Sequence, residues 1–394
     1  MQYPILTLKS GKERSIEHRH PWLFSGAVKT LPQAAEGDIV AVHDNKGQLM
    51  AYGFYATQSQ ITCRMFEFGN EAKIIDAHYW QEKIHRAFAL RQSLLPPTAG
   101  NTYRLIHAEG DFFPGLIVDV YDRVAVVQLL IKGTERLADV IAEGLRSLGF
   151  AYIYLKTKES SKRFEDMRLE KGWLGAPFPE AQVEVLENGF KFLVDVEKGQ
   201  KTGFFIDQRD NRQLLQHYAT GKRVLNTFGY TGGFSVYALA GGATEVHSVD
   251  ISQEASDTCL QNTALNFPEK TDLHQALTAD CFDYLRQMEE AYDIIVLDPP
   301  AFAKTARAVP NATRGYKDIN LLAFKKIRPG GLLFTFSCSG SISKELFRKV
   351  VFGAAADAGR EIRIVHQLTQ PPDHPVNIYH PEGEYLKGLV LYVE

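Results

Sequence analysis

The sequence predicts an α/β chain: a doubly wound, mostly parallel sheet over residues 180–394, preceded by a small β-rich domain (1–70) and a central α+β domain (72–175). Three observations carry this expectation. After residue 220, short apolar runs at 223–226, 245–249, 293–297 and 331–336 alternate with helical patterns, the rhythm of a parallel sheet. Residues 1–70 read as short strands between turn signals (Gly37-Asp38, Asp44-Asn45, Gly47). Between these regions the periodicity changes to one long helix followed by strands.

The composition permits this organisation. A chain of 394 residues is too long for one ordinary core. With 45% apolar and 23% charged residues it is globular, neither collagen-like nor disordered. No apolar run reaches the ~18–20 residues of a membrane span, and residues 1–14 lack the apolar block of an export signal. The four cysteines show no CxxC or Cys/His ligand spacing, so no metal is expected and a reducing, cytoplasmic compartment is. The net charge of −3 gives no sign of nucleic acid, which local charge must supply instead. The opening is locally basic: Lys9, Lys12, Arg14, Arg19 and Lys29 against Glu13 and Glu17.

Taken in order, alternation over 61–66 marks a strand of the first domain. A helix over 72–95 carries Ile84, Phe88 and Leu95 near one stripe and stops at Pro96-Pro97. Strands at 116–121 and 124–131, a helix near 137–148 and a strand at 152–155 complete the central domain. A hairpin at 183–186 and 190–196 turns at Asn188-Gly189, a strong type I′ signal. In the sheet that follows, ligands are expected beyond the carboxyl ends of the strands.

The first of those strands runs into Phe228-Gly229-Tyr230-Thr231-Gly232-Gly233, where glycines let the backbone approach a ligand. The second ends at Asp250, eighteen positions after Gly232, where a carboxylate can accept hydrogen bonds from two ribose hydroxyls. Asp280 and Phe282 follow a third candidate strand, between the runs 245–249 and 293–297, and are placed to meet an adenine's amino group and face. The turn is not GxGxxG, which favours S-adenosylmethionine over a dinucleotide. Tight turns also need glycines and acids also cap helices, so a purely structural role stays open for each residue.

The fourth strand delivers Asp298-Pro299-Pro300-Ala301-Phe302, in which two prolines hold the preceding carboxylate rigidly; Pro299 is assigned to the cofactor side of this box. The fifth delivers Ser337-Cys338-Ser339-Gly340. Together these boxes suggest methylation at carbon 5 of a pyrimidine. Carbon 5 is a poor nucleophile until a thiolate adds at carbon 6. Cys338 would supply the thiolate and Asp298 the acid or hydrogen-bond partner at N3. Between Ala301 and Arg328 seven cations, including Lys304, Arg314 and Lys317, face the single acid Asp318. With Phe302 they make a candidate RNA-binding stretch, although such a run can equally be a solvated helix face.

The whole chain resembles the prokaryotic PUA-domain-containing 23S rRNA 5-methylcytosine methyltransferases. The motifs that carry the likeness are Lys12…His18…His20-Pro21-Trp22-Leu23-Phe24-Ser25-Gly26, Arg104-Leu105-Ile106…Glu109-Gly110-Asp111…Pro114-Gly115-Leu116-Ile117-Val118-Asp119, and Lys201-Thr202-Gly203-Phe204-Phe205-Ile206-Asp207-Gln208-Arg209. The glycine turn, the D-P-P box, Ser337-Cys338-Ser339 and the tail Asp373-His374-Pro375…Tyr385-Leu386-Lys387-Gly388 complete it. The resemblance implies a PUA domain and a Rossmann-like class I methyltransferase domain. It also implies S-adenosylmethionine as cofactor, homodimers, rRNA or a large-subunit particle as partner, and a nucleophile at Cys338. It puts Gln208 and Arg209 in the cofactor pocket and adds His374 and Lys387 to the substrate side. Ala301 stands where many RNA 5-methylcytosine enzymes outside this family keep a second cysteine, so product release here must proceed otherwise. Rival readings are an exocyclic-amine methyltransferase that needs no thiol, a non-catalytic RNA-binding protein, and, more weakly, a nicotinamide dehydrogenase.

Overall fold

The computed structural model describes residues 3–156, 167–289, 291–303 and 305–394. The chain divides into two compact units. The first comprises Met1–Asn188, Val194–Ile206 and Pro372–Gly383; the second comprises Gly189–Leu193, Asp207–Pro371 and Glu384–Glu394.

In the first unit, residues 3–70 contain a six-stranded sheet in the order Trp22–Phe24, Ile61–Phe68, Leu49–Tyr55, Ile39–His43, Ile5–Leu8, Val28–Thr30. The register slips between Tyr52 and Gly53, and a Cβ on Gly53 would lie 2.4 Å from Cys63 Sγ, so the bulge requires glycine. A second sheet orders Gly172–Trp173, Tyr152–Leu155, Val124–Leu129, Leu116–Tyr121 and Thr102–His107. The helix Ala77–Leu94 begins at Asp76, whose carboxylate accepts the Tyr79 amide at 3.0 Å. Its buried stripe is Trp80, Ile84, Ala87 and Arg91; Phe88 is only partly covered and Leu95 follows the last helical residue.

Apolar packing continues across the expected boundary near residue 71. Phe54 of the first sheet stacks on Trp80 at 5.4 Å between centroids, Trp80 packs on Phe113 at 4.7 Å, and all three belong to one apolar cluster. A six-stranded sheet this small cannot bury both faces alone, and the helix covers one of them. The chain leaves this unit at Asn188-Gly189, both with positive φ (50° and 85°) as a type I′ turn requires.

The second unit holds a seven-stranded sheet. Its strands are β1 (Arg223–Thr227), β2 (Glu245–Asp250), β3 (His274–Thr278), β4 (Ile294–Leu297), β5 (Gly331–Ser337), β6 (Ile362–Leu368) and β7 (Lys387–Val393). Their spatial order is β3-β2-β1-β4-β5-β7-β6. β1 to β5 pair in parallel, whereas β7 runs antiparallel between β5 and β6. β4 reads Ile-Ile-Val-Leu and is wholly buried, as a central parallel strand should be. The antiparallel edge has a local requirement: a Cβ on Gly388 would lie 2.6 Å from the Phe336 ring. Strand order reverses between β1 and β4, so their carboxyl ends flank the topological switch point. No described helix is long and apolar enough to cross a membrane.

Candidate active site

β1 ends in a strained turn. Phe228 (φ 55°) and Tyr230 (φ 46°) both occupy the left-handed region, which costs energy and is tolerated where the backbone must be shaped. Gly232 (φ 83°) opens the helix Gly233–Ala240, and a Cβ there would lie 2.4 Å from Cys259 Sγ. Gly229 turns the chain back so that its amide reaches the Val249 carbonyl at 3.0 Å. Thr231 is buried, and its hydroxyl has no hydrogen-bond partner among the described residues.

The buried Asp250 carboxylate holds this turn. Its Oδ2 accepts the Tyr230 amide at 2.9 Å and its Oδ1 the Ser252 amide at 3.0 Å. Each carboxylate oxygen has two lone pairs, so each keeps an acceptor position for another donor. The cap of the next helix, Gln253–Asn266, falls to Ser252, whose hydroxyl accepts the Ala255 amide at 3.2 Å. Asp280 is different. It is exposed, and its Oδ1 accepts the Phe282 and Asp283 amides at 2.9 and 3.0 Å, capping Cys281–Gln287. The structure therefore assigns Asp280 the capping role that its position before a helix allows. Phe282 is half-buried with its ring 6.4 Å from Phe228, an apolar wall beside the turn. Gln208 and Arg209 are buried at the start of the helix Arg209–Tyr218; Gln208 Oε1 accepts from Asn211 at 2.6 Å. That helix packs on the glycine turn, since a Cβ on Gly233 would meet Arg212 Cδ at 3.0 Å.

The two catalytic candidates come together. Leu297 pairs with Thr335, so β4 and β5 release their loops side by side. Asp298 is half-buried, Pro299 buried, and the half-buried Cys338 thiol points at the Pro299 carbonyl with Sγ–O 3.9 Å. Ser339 joins the loops: its hydroxyl accepts the Ala303 amide at 3.2 Å and bonds the Tyr316 hydroxyl at 3.0 Å, while its carbonyl accepts from Lys387 Nζ at 2.7 Å. The sequence reading treated Ser339 only as a small neighbour and missed Tyr316, which lies mid-helix with no local motif. Cys63, Cys259 and Cys281 are buried, and burial pushes all three thiols up, the last two to about 12. Cys338 is the accessible one.

The substrate-side expectations fare less evenly. Phe302 is half-buried against Tyr316, with centroids 4.6 Å apart. Arg314 and Lys325 are exposed on the helix Val309–Lys326, and Arg307 is exposed in the turn before it. Lys317, expected to grip phosphate, forms an ion pair with Asp357 at 2.7 Å. Lys326 donates to the Met288 carbonyl and Arg328 lies 3.3 Å from Asp293, so the seven cations do not make one patch. Lys304 lies outside the described residues. His374 is not a surface contact: it is buried in the first unit, 3.2 Å from the Asp373 carboxylate, with its ring 5.2 Å from His107. Lys387 is likewise buried rather than solvated. Thr202, from the run that ends in Gln208-Arg209, donates to Asp119 at 2.6 Å inside the first unit.

A glycine turn, an acid at the next strand end and a D-P-P box gather at a switch point, an arrangement able to hold a nucleoside-containing substrate or cofactor. The family model described as S-adenosylmethionine-dependent methyltransferase matches residues 163–383, and that of a PUA-like domain matches residues 6–68. The chain belongs to the S-adenosylmethionine-dependent methyltransferases. It is 42% identical to the Ribosomal RNA large subunit methyltransferase I of Pseudoalteromonas translucida, over 98% of each chain. The protein of that name in Klebsiella pneumoniae is 41% identical over 99% of this chain and 98% of its own. Among solved structures, a putative methyltransferase from Streptococcus mutans matches over the full length of both chains with a TM-score of 0.85 and 23% identity. A putative methyltransferase complexed with SAH matches equally well, at 0.85 and 22%; both likenesses concern the fold.

The methyltransferase's residues fit its cofactor, S-adenosylmethionine. The Asp250 carboxylate has acceptor capacity for a ribose diol, the orphaned Thr231 hydroxyl is available to a polar group, and Gly232 leaves the turn without a side chain.

Proposed function

We propose that this methyltransferase modifies carbon 5 of a cytosine in 23S rRNA through a covalent adduct with Cys338. The observation that carries the reading is the half-buried thiol at the end of β5, 3.9 Å from the carbonyl of Pro299, the residue that follows Asp298. The relatives named for ribosomal RNA of the large subunit support the substrate class.

Bound S-adenosylmethionine supplies a methyl group made electrophilic by its sulfonium. The Cys338 thiolate adds to carbon 6, and its electron pair raises density at carbon 5. Asp298, held by Pro299 and Pro300, bonds N3 and stabilises the adduct. Once carbon 5 carries the methyl group, its proton leaves to a base or water. The electron pair of that C–H bond reforms the 5,6 double bond and expels the thiolate. Both carbons must be exposed, so the target nucleotide is unstacked when it reacts. Phe302 and the exposed Arg307, Arg314 and Lys325 lie near the D-P-P box in sequence and are the residues assigned to RNA contact. Action in the cytoplasm as a homodimer belongs to the same reading.

Two measurements test it. Bisulfite sequencing of rRNA from a strain lacking the gene, against its parent, is expected to lose one 5-methylcytosine. Large-subunit RNA carrying 5-fluorocytidine is expected to trap the protein covalently, because fluorine at carbon 5 blocks release. An unchanged bisulfite pattern with no trapped complex would point to the exocyclic-amine reaction. For the cofactor side, Asp250→Asn removes the charge that strengthens both ribose hydrogen bonds. It is expected to weaken S-adenosylmethionine binding by about 10- to 100-fold in calorimetry, since hydrogen bonds to charged groups contribute ~1.5–3 kcal/mol.

A further inference from the structure

Lys387 is the first residue of β7, opposite Ser337 in the antiparallel pairing with β5, and so enters the sheet beside the residue that precedes Cys338. Its side chain is 4% exposed. Among the described residues, the Ser339 carbonyl, at 2.7 Å, is the hydrogen-bond partner of its ammonium, and no carboxylate lies within ion-pair distance of it. A buried cation without a carboxylate partner is costly and is retained only where something else compensates it.

The ionisable groups around this ammonium narrow the choice. Glu384 approaches from the segment before β7 and Lys344 from the helix Lys344–Ala358, but these two pair with each other at 2.8 Å. Tyr316, from the helix Val309–Lys326, holds the Ser339 hydroxyl, and burial raises its own phenol. That leaves the Cys338 sulfur, whose charge would act directly on the ammonium.

We propose that Lys387 is a positioning residue for the Cys338 thiolate: its ammonium fixes the strand-end loop through the Ser339 carbonyl and supplies the positive charge that favours the ionised sulfur. Burial lowers the lysine to about 8, so at neutral pH most of the population is still charged. Ionisation of the thiol sends its proton to water, and the lysine keeps its own. The inference rests on Cys338 being the nucleophile. It also gives the thiol, whose ordinary pKa is about 8.5, a charge that favours its ionised form where no histidine is assigned to deprotonate it.

The test is alkylation of Cys338 by iodoacetamide across pH 6–9.5, in cofactor-free protein without RNA, read by mass spectrometry of the Cys338 peptide. The three buried cysteines should stay silent. The wild-type midpoint is expected below about 8.5. Lys387→Met is expected to raise it by about one unit and slow alkylation at pH 7 about tenfold, whereas Lys387→Arg keeps the low midpoint. An unmoved midpoint in folded Lys387→Met overturns the proposal. So does a wild-type midpoint at or above 8.5, whether or not either variant folds. Failure of the nucleophile reading looks different: the thiol titration stays as expected while 5-fluorocytidine RNA traps no complex.

Discussion

Replacing Cys338 with alanine is expected to lower cytosine methylation at least about a thousandfold while leaving S-adenosylmethionine binding within twofold. The size follows from the chemistry. Without addition at carbon 6, carbon 5 stays part of an electron-poor ring, and binding or orientation alone cannot activate it. The selectivity follows from the geometry. The thiol sits at the end of β5 next to the D-P-P loop, while the glycine turn and Asp250 lie at the ends of β1 and β2. Single-turnover methylation with calorimetry on the same preparation checks both halves. A variant that keeps a tenth of the wild-type rate would falsify the covalent route and leave the exocyclic-amine reaction standing.

Asp111→Ala is expected to destabilise the first unit by about 3–5 kcal/mol, because it strands a charge in the interior. Arg91 is fully buried. Its guanidinium donates to both Asp111 oxygens at 2.5 and 2.7 Å, to the Arg104 carbonyl at 2.8 Å and to the Asp373 carbonyl at 3.0 Å. Asp111 also accepts the His107 amide at 2.6 Å, so the substitution leaves an amide as well as a cation short of its acceptor. A second pair continues the network: Arg104 donates to both Asp119 oxygens at 2.7 and 2.8 Å, and its amide to Asp373 at 2.9 Å. Urea unfolding followed by tryptophan fluorescence reads this directly, since Trp22, Trp80 and Trp173 all belong to the first unit. A loss below 1 kcal/mol would mean that water reaches Arg91 and solvates it.

This network explains why motifs recognised as a set serve such different ends. Thr202 and Asp373 are far along the chain from Arg104, Asp111 and Asp119, yet all five meet inside one unit. Spacing along the sequence carries no trace of that meeting. Asp250 and Asp280 teach the same point. Both are acids at strand ends, yet Ser252 takes the cap after the first, while the second has to provide its own.

The sequence by itself determined the parallel sheet, the glycine turn, the order of strand-end boxes and the type I′ hairpin turn, because each is set by short-range periodicity or by a residue's own φ/ψ limits. Only the tertiary structure decided that the first two sheets share a core, that β7 enters antiparallel beside β5, that Lys317 is tied to Asp357, and that Lys387 is buried against the loop bearing Cys338. Those outcomes depend on which surfaces meet after the chain has turned many times. Burial and pairing are properties of that meeting and of no single stretch of residues.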